Sequence, residues 1–189
     1  MTDLTVLTPP AGEALSLVQA KAYLRLGHAG EDGLVTDLIQ GANARLEQAS
    51  GLALVTRALR RTASHWPGGI AGRGARLRPG PVTTLVAVRT VDANDVVTDH
   101  TGRFRLECGR MCLRAWSMVP AVPIGGRVEI DFEAGFGAPG AVPEDLVLAV
   151  KRLVADAYSQ RGLPGSRASA DGLPEDVEAI LDARRGARI

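Results

Sequence analysis

The sequence predicts an α+β fold with a mainly helical body, an inserted small antiparallel β unit and a tethered C-terminal helix. Near both ends of the chain, apolar residues recur every three or four positions, which is typical of amphipathic helices. Between about residues 53 and 135 they instead alternate with polar residues in short runs, which indicates strands. A stretch rich in Pro, Gly, Ser and Ala, residues 163–172, predicts a linker before the last helical pattern.

The chain opens with a segment that predicts an extended N-terminal arm, residues 1–14. It contains two adjacent prolines and shows no apolar periodicity. It also lacks the basic and apolar regions of a secretory signal, and no apolar run in the sequence reaches the ~20 residues that cross a bilayer. We therefore expect a cytoplasmic product without a membrane partner.

Two helices are predicted after the arm. The first covers residues 16–26, where Ser16 and Gln19 have the spacing of a capping box. The second covers residues 32–50, because apolar side chains recur along one face until Gly51 stops the helix. A short link between them allows the two helices to pack antiparallel.

The predicted β unit ends in the clearest strand pattern of the chain, RVEIDFEAG. Its apolar residues alternate with three acidic ones, so we expect the acidic side chains to lie on the solvent face of the sheet. The acidic residues are Glu129, Asp131 and Glu133. The two tryptophans, Trp66 and Trp116, are expected to anchor the core or an interface.

A long amphipathic helix is predicted over residues 143–161. Pro143 suits the first turn, and Glu144 and Asp145 place negative charge at the positive end of the helix dipole. Six apolar residues spaced by three or four positions form a broad stripe on one face.

The last segment, residues 173–189, predicts a short helix with a thin apolar stripe. An isolated helix of about three turns is not stable in water. The segment must therefore dock, either onto its own domain or onto another subunit.

Charge is segregated along the chain although the net charge is only +1. Residues 55–127 carry twelve arginines and four acidic residues, a balance of +8. The balance is −3 for residues 1–54 and −4 for residues 128–189. A basic surface that is solvated or paired with a neighbour explains this run better than nucleic-acid readout.

The sequence contains no recognisable catalytic or cofactor-binding motif. Its histidines fall in turns and links, and its two cysteines lie four positions apart without a further ligand, which is the wrong inventory for zinc. These residues are His28, His65, His100, Cys108 and Cys112. We expect no enzyme activity, no metal and no cofactor.

Several motifs occur in a distinctive order. The first helix carries L-x-L-x-x-A-K-x-x-L-R and is followed by an acidic turn and a longer helix that ends in S-G. Later, a strand that ends in A-G-F-G precedes V-P-E-D-L and a helix that ends in A-Y-x-x-R. This order resembles the head-to-tail connector (adaptor) proteins of tailed bacteriophages, including those of gene transfer agents. The resemblance covers most of residues 8–162.

The resemblance implies a structural protein in the neck of a virion or phage-like particle, assembled in the bacterial cytoplasm. About a dozen copies would form a ring beneath the portal protein, and duplex DNA would pass through it without sequence-specific binding. The ring would offer a platform to the next neck or tail protein, a stopper or tail terminator. Residues 15–162 would then form the adaptor domain.

Two sets of interface residues follow as expectations. The resemblance assigns the C-terminal segment to portal docking, and the charge segregation places an acidic helical face against a neighbour's basic β face. The portal set is Leu173, Val177, Ile180, Leu181, Arg184, Arg185 and Arg188. The subunit set is Arg57, Arg61, Arg103, Arg105, Glu144 and Asp145.

The alternative function is a DNA-binding packaging or regulatory protein. The first two predicted helices would form a helix-turn-helix, and the arginine-rich middle would contact phosphate. The start of the second helix argues against it, because Glu31, Asp32 and Asp37 supply acceptors where base readout needs donors.

A ring that lets DNA pass should bind it weakly. Basic surfaces facing the channel would hold phosphates through counterion release, so we expect them to face neighbours or solvent, with Glu31, Asp32, Glu144 and Asp145 nearer the channel. Fluorescence anisotropy with a labelled duplex at physiological salt should give a Kd well above one micromolar. Binding at micromolar concentration or tighter would contradict this expectation.

Overall fold

The computed structural model describes residues 2–160 and 173–186, which fall into two compact units. Unit 1 combines the N-terminal residues up to Ala11 with Thr56–Gly135. Unit 2 combines Gly12–Val55 with the chain from Phe136 onward. The chain therefore passes between the units three times.

Unit 1 is built from two antiparallel sheets. The larger has five strands in the order β1-β2-β8-β4-β5, and the smaller has three in the order β3-β7-β6. The strands are β1 (Thr2–Thr8), β2 (Arg57–Ala63), β3 (Ala75–Arg76), β4 (Val82–Val91), β5 (Val97–Asp99), β6 (Phe104–Glu107), β7 (Arg110–Leu113) and β8 (Arg127–Ala134).

The edge strand β1 lies within the segment predicted as an extended arm. It pairs antiparallel with β2, so that Leu4 lies opposite Arg61. Among the described residues β1 has a neighbouring strand on one side only, and Leu4, Val6 and Leu7 are about half exposed. The sequence shows the extended conformation of this segment but not its partner, which lies more than fifty residues away.

The smaller sheet contributes large side chains to the core of unit 1. Phe104 on β6 and Met111 on β7 are buried. The indole ring of Trp66 lies 5.2 Å from the ring of Phe104, centroid to centroid, and its N–H donates to the carbonyl of Pro120 over 2.7 Å. Trp66 is therefore one of the core anchors that the sequence predicts.

The described residues of unit 2 contain four α-helices, which share one apolar core. Leu46, Leu146 and Val150 are fully buried in it, so the predicted apolar stripes of the second and third helices face the same interior. The helices are α1 (Leu17–Leu24), α2 (Asp32–Ser50), α3 (Glu144–Ser159) and α4 (Glu175–Gly186).

The helix boundaries follow the predicted caps with two differences. The capping box of Ser16 and Gln19 is confirmed, and Gly51 ends α2 in a left-handed conformation. Helix α1 stops two residues before its predicted end because Arg25 adopts a left-handed conformation, with φ 57°. Helix α3 is shorter than its predicted range, and the linker predicted at residues 163–172 lies outside the described residues.

The prediction of a mainly helical body is wrong. Helices account for 35% of the described residues and strands for 27%, and these residues contain eight strands in two antiparallel sheets. The larger sheet recruits the N-terminal segment as well as the inserted region, so the β structure is a full unit with its own core. Short strands of three or four residues carry little periodicity, which is why the sequence underestimates it.

Candidate interaction surfaces

Helix α4 packs against its own unit. Val177 and Leu181 are buried in the core of unit 2, and Leu173 and Ile180 pack against that core. The sequence leaves open whether this segment docks onto its own domain or onto another subunit. In the structure it docks onto its own domain. The apolar stripe that the sequence assigns to a portal contact is thus already covered within one chain.

A bidentate ion pair fastens α4 to α3. The guanidinium of Arg184 donates to both carboxylate oxygens of Asp145, over 2.8 and 3.0 Å, and lies 5.4 Å from the centre of the Phe136 ring. The hydrogen bond from Arg184 is the main reason that the pKa of Asp145 lies below its ordinary value. The sequence assigns these two residues to different partners, and the structure joins them to each other.

Two residues of the predicted portal set remain, Arg185 and Arg188. The side chain of Arg185 and the whole of Arg188 lie outside the described residues. A second ion pair, Arg152 with Asp176 at 3.0 Å, holds the first turn of α4. The assignment of the C-terminal segment to portal docking stays a prediction.

The arginines predicted at a subunit interface divide into two kinds. Arg57 and Arg61 alternate with Leu59 on one face of β2, and their Nε atoms are buried. Arg103 and Arg105 are exposed, and Arg105 pairs with a nearby glutamate. The second pair is thus open at the surface of unit 1, whereas the first is half covered. Their place at a subunit interface stays a prediction.

Two carboxylates of β8, those of Asp131 and Glu129, form ion pairs with arginines. The Asp131 carboxylate accepts two bonds from Arg60, over 2.7 and 2.8 Å, and one from Arg89 over 3.0 Å, while Arg127 donates to Glu129 over 2.9 Å. The bond to Asp131 is also the main reason that the pKa of Arg60 is raised.

The expectation that these acidic side chains face solvent is therefore wrong for two of the three. Asp131 is 6% exposed and Glu129 is 9% exposed, because the neighbouring strands place arginines beside them in register. Glu133, nearer the end of the strand, is half buried. Charge on this face of the sheet is largely compensated inside unit 1.

The charge segregation persists when it is counted by unit. Unit 1 contains twelve arginines and eight acidic residues, so its net charge is +4. Unit 2 contains ten basic and thirteen acidic residues, so its net charge is −3. The three acidic residues of β8, together with Asp3 on β1, halve the basic excess that the sequence shows for residues 55–127.

An open groove runs between α1 and α3 in unit 2, with a volume of about 880 Å³. We call it the α1–α3 groove. Val142, Val147 and Leu148 supply apolar lining, and three carboxylates and one lysine line it as well. The charged lining residues are Glu13, Glu144, Asp145 and Lys151. The groove thus combines an apolar lining with an excess of negative charge.

A loop of unit 1 presents large apolar side chains to solvent. We call residues 114–126, which connect β7 to β8, the Trp116 loop. Trp116 is fully exposed, Met118 is 80% exposed and Ile124 is 99% exposed. Trp116 therefore does not anchor the core, and its other predicted role, at an interface, stays open.

Within residues 2–160 and 173–186, no group of three or more His, Cys, Asp or Glu side chains could hold a metal ion. No helix in those ranges is long and apolar enough to span a bilayer. Both cysteines are free thiols.

Single chains in solved structures of gene transfer agent (GTA) particles are similar to this chain over almost its whole length. A chain from the neck of an empty GTA particle, computed with C6 symmetry, is 34% identical, with a TM-score of 0.79. The match covers 96% of this chain and 94% of that one. A chain from the virion of a native GTA particle is 33% identical over 95% of this chain and 93% of that one, with a TM-score of 0.78.

A third similar chain comes from the neck of a native GTA particle computed with C12 symmetry. It is 31% identical over 96% of this chain and 93% of that one, with a TM-score of 0.76. No protein-family model matches the sequence, and no curated protein matches it either.

The Asp145–Arg184 pair predicts that acid loosens α4. A carboxylate with a lowered pKa stabilises the fold above its ordinary pKa of about 4, and this contribution is lost as the pH falls through the lower pKa of the folded state. Hydrogen exchange, corrected for the intrinsic exchange rate, which itself slows as the pH falls, should therefore show weaker protection of α4 amides below about pH 4. In the Asp145→Asn variant, exchange should already be faster at pH 7.

The difference between wild type and variant isolates this pair, because every other acidic residue is the same in the two proteins. A difference that stays constant between pH 3 and pH 7 would contradict the assigned role of Asp145.

Proposed function

Because this chain belongs to the head-to-tail connector family of tailed phages and gene transfer agents, we propose that it is the adaptor that joins a portal to a tail. In this role about twelve copies form a ring beneath the portal protein. DNA passes through the ring, and its far side receives the next neck protein. The observation that carries the proposal is the similarity, over nearly the whole chain, to chains from necks computed with six-fold and twelve-fold symmetry.

The charge distribution supports a ring closed by head-to-tail contacts. A closed ring of identical subunits uses two different surfaces of each subunit, one facing each neighbour. Unit 1 is basic and unit 2 is acidic, so unlike charges on adjacent subunits would attract and would set their orientation. Arg103 and Arg105 on unit 1 and Glu144 on unit 2 are exposed residues that suit such a contact.

The ion pairs of the β8 carboxylates support the proposal that DNA passes through the ring. Arg60, Arg89 and Arg127 point their charge at Asp131 and Glu129 inside the unit, which leaves less of it available to phosphate. A neck with fewer free cations holds fewer phosphates as the duplex passes.

The ring can be tested by adding the purified protein to purified portal rings. Light scattering and negative-stain imaging should show an additional ring of about twelve copies stacked on one end of the portal. Portal rings without added density, at protein concentrations in large excess, would contradict the proposal.

We further propose that the C-terminal segment is the part of the adaptor that docks on the portal. Arg184 is engaged with Asp145, and Val177 and Leu181 are core residues of unit 2, so these three hold α4 in place. The arginines assigned to acidic groups of the portal are then Arg185 and Arg188.

Charge substitution should separate docking from folding. The double variant Arg185→Ala/Arg188→Ala should melt like wild type but lose binding to portal rings in a pull-down. As a matched control, Arg25→Ala removes an exposed arginine at the end of α1 and should keep portal binding. Deleting residues 165–189 is a poorer test, since it also uncovers the core that Val177 and Leu181 fill. Undiminished binding by the double variant would contradict portal docking through these arginines.

A further inference from the structure

We propose that the Trp116 loop of one copy inserts into the α1–α3 groove of the next copy. The inference rests on the proposed ring and names the two surfaces that close it. One surface projects from unit 1 and the other is a recess in unit 2, as a head-to-tail contact requires.

The Trp116 loop is held in a defined conformation. The carbonyl of Pro120 accepts the indole N–H of Trp66, and Arg114 donates its backbone N–H to Arg103 over 2.8 Å and its Nε to the Phe104 carbonyl over 3.1 Å. At the end of the loop, a Cβ on Gly126 would lie 2.4 Å from the carbonyl oxygen of Val91, so this residue must be glycine. A loop fixed in advance loses little conformational freedom when it binds.

Trp116 has an unfavourable backbone conformation and does not bury its ring against its own chain. Its φ of 64° is one that side-chain-bearing residues rarely adopt, and its ring is fully exposed. Such strain persists where the surrounding structure imposes it, typically at functional positions. Tryptophan is also enriched among the few residues that dominate the binding energy of interfaces.

The α1–α3 groove fits this loop in size and polarity. Its volume of about 880 Å³ leaves room for an indole ring with neighbouring side chains. Val142, Val147 and Leu148 offer an apolar surface to the ring, and Leu148 is 37% exposed, as a residue awaiting cover would be.

The charges on the two surfaces favour a second copy of this chain as the occupant of the α1–α3 groove. The groove is lined by Glu13, Glu144 and Lys151, and by Asp145, which Arg184 already neutralises, so an excess of one negative charge remains, whereas the Trp116 loop contains Arg114 and no acidic residue. Arg103, whose carbonyl accepts the Arg114 amide, is exposed as well. An apolar anchor flanked by cations therefore meets an apolar groove flanked by anions, and the chain itself provides both.

Site-specific photocrosslinking tests the contact in assembled particles. Particles are purified from cells that produce the Trp116→p-benzoylphenylalanine protein and are then irradiated. We expect a ladder of crosslinked multimers on a denaturing gel. Their crosslinked peptides should map to the groove, in residues 139–151. A crosslink within one chain would not change the mass, so the ladder reports contacts between copies.

A glycine substitution separates assembly from folding. Trp116→Gly removes the strain, so its Tm should equal or exceed that of wild type. The number of copies per particle, counted by quantitative mass spectrometry, should fall by about tenfold or more, as expected for loss of a central aromatic anchor. Leu148→Asp, in the groove, should lower it similarly. Val97→Ala, an exposed valine on β5, should leave it unchanged.

Several outcomes would overturn the inference. These are crosslinks to another protein or to lipid, crosslinks between two copies that stop at dimers, no crosslinks in particles that contain the protein, or wild-type copy number in Trp116→Gly particles. If imaging still shows a ring of this protein in those particles, only the contact is wrong. If wild-type particles show no ring, the proposed function itself fails.

Discussion

The packing of α2 against α3 is the contact on which the architecture depends. Leu46 and Leu146 are both fully buried in one core, yet almost one hundred residues of chain separate them. This is possible because the region between them leaves and returns at the same place. In unit 1, Arg57 on β2 lies opposite Ala134 on β8, and in unit 2 the amide of Phe136 donates to the carbonyl of Leu54 over 3.2 Å. Pairing at both ends of the insertion keeps the helical core closed, although the chain between α2 and α3 folds as part of the other unit.

This arrangement explains how one chain presents two chemically different surfaces. The inserted unit carries most of the arginines and folds around its own core, while the helical unit keeps an acidic surface. Burial of Asp131 beside Arg60 and Arg89 keeps part of the basic charge internal. In the proposed ring, the charge that remains exposed would orient neighbouring subunits, since complementary charge contributes more to orientation and encounter than to affinity. The Trp116 loop and the α1–α3 groove then supply the apolar contact that charge alone does not.

Sequence reasoning predicted features that depend on local interactions. The capping box at Ser16, the extent of α2 and the apolar stripe of α3 each follow from residues within a few positions of one another. Features that depend on distant partners were missed or left open. The ion pair between Arg60 and Asp131 joins residues 71 positions apart, and no single strand pattern reveals the register that brings them together. The resemblance to connector proteins identified the family, but the choice of docking partner for α4 required the structure, because its apolar stripe fits either.

The edge strand β1 has a consequence for the life of the protein before it reaches a particle. In the part of the chain that the structure describes, one side of β1 presents backbone N–H and carbonyl groups without a strand beside it, next to Leu4, Val6 and Leu7. Edges of this kind recruit any extended polypeptide, including identical chains. Newly made subunits that accumulate before assembly are thus expected to aggregate through this edge.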